Sequence, residues 1–105
     1  MRRLALGLDG TVEAPHMGRA AFKVARIYAT LAPGELTANL RLTPDEQEFK
    51  CMLNPAAFAP VPNAWGRQGW TIVTLAVIEL DELATALTLA WTHVLPKSRV
   101  GKRRG

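Results

Sequence analysis

Three segments of this 105-residue chain carry side chains suited to more than packing. Trp65-Gly66-Arg67-Gln68-Gly69-Trp70 sets two tryptophans around two glycines, an arginine and a glutamine. As a wing-like loop it would offer Arg67 and Gln68 to phosphates or base edges, with Trp65 stacking on a base or wedging beside it. The packing alternative has Trp70 facing the core as the first residue of a strand, with Trp65 covering its edge. Arg67 has no apolar role in either case. The Gly-x-x-Gly spacing is shared with the clamp loop of KH domains, but that loop joins two helices and this one leads into a strand. The second segment, Pro15-His16-Met17-Gly18-Arg19, places His16 and Arg19 in a turn bounded by proline and glycine. It would lie near Arg67 if the first hairpin sits beside the last strand; its plain reading is a polar turn. The third is the C-terminal run with Lys97, Arg99, Lys102, Arg103 and Arg104, five positive charges and no acid.

Residues suited to catalysis are few. Of two histidines, His93 has no acid three or four residues away, so it lacks the helical pairing of a metalloprotease. Its position near the end of a helix is explained by the dipole. Cys51 reads as a small buried hydrophobe within a helix. The acids cluster at Asp45, Glu46 and Glu48 and at Glu79, Asp81 and Glu82, both helix starts, where the same electrostatics suffice. Zinc-ligand spacing, a phosphate loop and a dinucleotide fingerprint are all missing. The expectation is a protein without enzymatic activity, metal or cofactor.

The elements that position these residues follow from composition and pattern. Hydrophobic residues are 49% and charged residues 21%, an ordinary globular balance at a length that suits one domain. The apolar runs are too short to span a bilayer, and the start is too short for a signal peptide. One cysteine excludes an internal disulfide and fits a reducing, cytoplasmic setting. Five of the thirteen Lys and Arg lie in residues 97–105, so residues 1–96 carry eight basic and nine acidic groups, net −1. The basic pI of 9.8 therefore belongs to the tail. Two units are expected: a single domain over 1–96, and a solvated, flexible basic tail over 97–105.

A short helix is predicted over residues 2–8, then strands across 12–43. Leu36, Ala38, Leu40 and Leu42 alternate with Thr37, Asn39, Arg41 and Thr43, a strand with one wet face. Thr43-Pro44-Asp45-Glu46 opens a helix with a capping box, whose Phe49, Met52 and Leu53 share a face. Residues 55–63, with three prolines, read as irregular or extended. A strand over 70–75 and a helix over 79–95 follow, the latter with a stripe of Leu80, Leu83, Ala84, Leu87, Ala90, Trp91 and Val94. The fold class is α+β: an antiparallel sheet of about four or five strands, with helices packed on one face.

Residues 13–24, Ile27-Tyr28-Ala29-Thr30-Leu31, residues 65–71 and Pro96-Lys97, in this order and spacing, resemble the MmcQ/YjbR-like family over roughly residues 2–97. The resemblance implies an intracellular α+β protein with a double-wing arrangement, DNA-binding and without known enzymatic activity. By position Arg67 matches a basic residue ahead of the strand, Trp70-Thr71 the aromatic and hydroxyl pair that starts it, and Lys97 a basic residue after the last helix. His16 and Gly18 match the early turn. Two departures stand out: Gly69 replaces a histidine common in relatives, and the first helix is shorter than usual, as a truncated start would leave it.

The expected function is DNA binding, with DNA favoured over RNA, through His16 and Arg19 on one wing, Trp65, Arg67 and Gln68 on the other, and Lys97, Lys102, Arg103 and Arg104 in the tail. The alternative is a protein-interaction or homodimerisation module of chaperone-like α+β type. No membrane partner is expected.

Overall fold

The computed structural model describes residues 1–96. A five-residue helix, α1 (Arg2–Leu6), leads into a run of four strands, β1 (Val12–His16), β2 (Arg19–Lys23), β3 (Ile27–Leu31) and β4 (Thr37–Arg41). Then come α2 (Pro44–Leu53), β5 (Phe58–Pro60), α3 (Ala64–Arg67), β6 (Trp70–Thr74) and α4 (Leu80–Thr92). All strands join one antiparallel sheet in the order β1-β2-β3-β4-β6-β5. The α+β expectation holds, with six strands rather than four or five. The extra one is β5, inside the stretch expected to be irregular or extended. It pairs on one side only, so Pro60, lacking an N–H, is tolerated at the sheet edge.

Alternation sorts the strands into two faces. Ala38 and Leu40 of β4, Val73 of β6, Phe58 of β5 and Phe22 of β2 join one core with Leu83, Leu87, Ala90 and Val94 from α4 and its C-terminal end. A register irregularity between β2 and β3 lets Tyr28 and Ala29 both enter that core. The Tyr28 hydroxyl lies 2.9 Å from Thr11 Oγ1 and donates to Ala5 O at 3.3 Å, which ties α1 to the sheet. Each large apolar side chain buried here contributes about 1.5–3 kcal/mol.

Two expectations about helix faces need correction. Thr43 caps α2 in the full capping box, but the helix is inverted. Its half-buried positions are Glu46, Gln47, Lys50, Cys51 and the capping Asn54, while Phe49, Met52 and Leu53 point to solvent. Polar ties hold it that way round. Gln47 donates to the carbonyls of Gly66 and Trp70, Asn54 donates to Glu82, and Glu46 meets His93, all at 2.8–2.9 Å. In α4, Leu80 leaves the expected stripe for solvent, and Trp91 is half-buried with its indole N–H donated to Asp9 O.

Candidate nucleic-acid interface

The segment expected as a wing is instead a helical turn. Asn63 caps α3 by accepting from the Trp65 amide, and Arg67 is its last residue. Both glycines are set by close backbone approach. A Cβ on Gly66 would sit 1.8 Å from Val61 O, and one on Gly69 1.9 Å from Leu42 O, at a φ of +110°. Only glycine fits where relatives are expected to carry histidine. Trp65, Arg67 and Gln68 are exposed, and Arg67 forms no ion pair among the described residues. Thr71 is buried with its hydroxyl donated to Gly69 O, so it is committed to the fold.

His16 and Arg19 flank a two-residue turn in which Met17 and Gly18 both take positive φ, the type I′ geometry of tight hairpins. His16 is exposed; Arg19 is half-buried, its Nε donating to Thr30 Oγ1 at 2.9 Å. This hairpin is not beside the last strand. β3 and β4 intervene, and the turn and α3 lie at opposite ends of the sheet. With strands about 4.8 Å apart and residues about 3.3 Å along them, Arg19 and Trp70 are roughly 20 Å apart. The two expected wings therefore occupy diagonal corners and cannot close on one target as neighbours. Lys97, Lys102, Arg103 and Arg104 lie outside the described residues.

What connects the corners is the sheet face turned away from the helices. Its register gives a central row, Ala14–Ala21–Thr30–Asn39–Ile72–Ala59, across all six strands. Toward the hairpin turn lie His16, Arg19, Thr37 and Thr74; toward α3 lie Val12, Lys23, Ile27, Arg41 and Trp70. Trp70 and Ile72 stand outside the core cluster, so the packing alternative for Trp70 is corrected: it belongs to the open face. The face carries Arg19, Lys23, Arg41 and His16 and no acid. Glu13, the single strand acid, pairs in register with the core residue Phe22 and is neutralised by Arg2 at 2.9 Å. The other eight acids lie in helices and loops.

The buried side-chain polar atoms without a partner, among the described residues, are one terminal guanidinium nitrogen of Arg19 and Nε1 of Trp70. Both are donors, and both belong to residues of this face. A buried donor left unpaired costs about 1–3 kcal/mol, and both atoms are sealed from solvent, so each would meet an acceptor only after its side chain shifts outward. Lys23, Asn39 and Arg41 make no side-chain hydrogen bond with the described residues and are available to a ligand. Sequence reasoning passed over Lys23, Thr30, Asn39, Arg41 and the orientation of Trp70. The alternation of Thr37, Asn39 and Arg41 was the signal for two of them.

Chemistry elsewhere is sparse. Burial pushes the Cys51 thiol up, away from the reactive thiolate. Grooves along α4 of about 340 and 220 Å³ are lined by residues such as Ala84, Thr88, Leu89, Leu4 and Leu87, with Arg3 the single charged group. Among the described residues no three of His, Cys, Asp and Glu gather to hold a metal, and no helix is long and apolar enough to cross a membrane.

An antiparallel sheet with helices on one face defines a small α+β protein, whose opposite face carries cations and no acid. The YjbR family model matches residues 6–93, and the chain belongs to that family. Among solved structures it is similar to protein DR2400 of Deinococcus radiodurans, described with a DUF419 domain, at 23% identity and a TM-score of 0.76 over 92% of this chain and 77% of that one. It is also similar to a Pseudomonas syringae structural-genomics target, at 15% identity and a TM-score of 0.68 over 89% and 94%. At these identities the likeness concerns the fold. No curated protein matches the chain.

Proposed function

We propose that this is a cytoplasmic, non-catalytic DNA-binding protein that holds phosphates on the open face of its sheet. The reading rests on the partition of charge: cations without acids on the open strand face, acids on the helix layer and in loops. The body of residues 1–96 has a net charge of −1, and Arg2, Arg3, Arg26, Lys50 and Arg67 lie among its acids, so attraction for a polyanion is local to the acid-free strand face. The exposed arginine and tryptophan of α3 precede β6 at one end of the sheet, and the basic tail adds sequence-independent attraction. The wings are thus recast as opposite ends of one sheet.

Fluorescence anisotropy with labelled DNA at two salt concentrations tests this. Each neutralised phosphate adds about 0.9 to the log–log salt slope on duplex and about 0.7 on single strands. Replacing Lys23 and Arg41 by glutamine in the full chain should reduce that slope by about two phosphates' worth. No salt-sensitive binding at micromolar protein overturns the reading.

A second reading, a protein-interaction or homodimerisation module, draws on the outward stripe of Phe49, Met52 and Leu53 on α2. A concentration-independent dimer by light scattering, lost on replacing these three by alanine and with no DNA affinity, would favour it.

A further inference from the structure

The relief of the open face narrows the ligand, on the reading that the protein binds nucleic acid. We infer that the sheet face is a site for a single strand, with its bases laid on the central row and its phosphates at the two cationic ends. Groups that read a duplex must enter a groove about 8 Å deep. Thr30 and Asn39, at the centre of this face, are short and half-buried or buried, flush with the sheet. Arg19, the long side chain beside them, lies down on Thr30 rather than projecting. A duplex held by its backbone would keep its base edges out of reach of all three. Unstacked bases can descend to them.

The donors and acceptors fit that ligand. The unpaired guanidinium nitrogen of Arg19 and Nε1 of Trp70 are both donors, matching base carbonyls, ring nitrogens and phosphate oxygens. Asn39 supplies both a donor and an acceptor to a Watson–Crick edge. Ile72 and the half-exposed Trp70 ring give base faces an apolar and aromatic floor, and Ala14 and Ala59 keep the row low toward its two edges, while Ala21 is covered by its neighbours. Lys23 and Arg41 at one end, and His16 and Arg19 at the other, border this floor. Six strands at about 4.8 Å each span about 24 Å, room for about four nucleotides.

The test compares a labelled DNA single strand of about 12 nucleotides with the same sequence as a duplex, using the full chain. Expected is about tenfold or tighter preference for the single strand, reduced fivefold or more by Asn39→Ala and by Trp70→Phe, with duplex binding little changed. Trp70→Phe keeps a ring and removes the donor. Asn39 makes no side-chain hydrogen bond with the described residues, so Asn39→Ala leaves the fold intact and keeps the test open should Trp70→Phe unfold. Equal affinity for both forms, unmoved by either variant, overturns the single-strand site while leaving DNA binding standing. No salt-sensitive binding to either form overturns both.

Discussion

Gly69 shows how a single residue decides what this surface can be. Its φ of +110° and its approach to Leu42 O leave no room for a side chain, and the Leu42 amide bonds back to Gly69 O at 3.2 Å. Gly69→Ala should cost at least about 3 kcal/mol, read as a drop in the urea midpoint, because strain and a backbone clash add. A near-neutral result would mean that the α3–β6 junction gives way to admit a methyl group. Cys51 behaves in the opposite sense to an active-site thiol. Burial holds its pKa up, so its reaction with a disulfide reagent should be slower at neutral pH than that of a free thiol and gain more as pH rises. A rate above the free thiol's would contradict the assignment.

Among the elements, α2 separates what could be read from what could not. Its start was legible: Thr43, Pro44 and Glu46 form the box their order implies, with Thr43 Oγ1 accepting from the Glu46 amide at 3.1 Å and Glu46 accepting from the Thr43 amide at 3.0 Å. Its apolar stripe was legible too, but not the side it would face. Periodicity reports that Phe49, Met52 and Leu53 align; it does not report that Gln47 and Asn54 find partners inward and turn the stripe out. β5 escaped for a related reason, since three residues ending in proline carry no strand signal until β6 lies beside them. Glu46 offers a pH test. Its part-burial would raise its pKa, but the Thr43 amide and His93 outweigh this and hold it below the ordinary value of 4.5. A depressed carboxyl stabilises the fold above the unfolded-state value, and that share is lost as pH falls through the folded one. The stability gap between Glu46→Gln and the wild type should be full above the unfolded-state value and close as pH falls through the depressed folded-state one. A gap unchanged with pH would assign the effect to packing. Thr43→Ala should cost about 1 kcal/mol by loss of the cap.

At the scale of the molecule, the α+β class and the helix-covered core followed from alternation and the α4 stripe, while the position of the site did not. Which strands lie side by side is a long-range fact. β6 returns beside β4 after α2 and β5, and this sets the early hairpin and α3 at opposite corners. Local motifs drew attention to those corners because they hold the glycines, prolines and tryptophans that punctuate a sequence. The surface between them is built from Lys23, Thr30, Asn39 and Arg41, residues unremarkable alone and joined only by register. The result is a sheet face that carries Arg19, Lys23, Arg41 and His16 without an acid, while every acid but Glu13 lies in helices and loops. The most direct test is a proton–nitrogen NMR titration of the full chain with a short DNA strand, read at the tryptophan indole signals. The Trp70 indole should shift, together with amides of β2 and β4, and the shift should fade with added salt. The Trp91 indole, already bonded to Asp9 O, should stay in place. Movement of Trp91 and the α2 and α4 amides, with Trp70 and the strands unmoved, would put the ligand on the wrong side of the molecule and contradict the account.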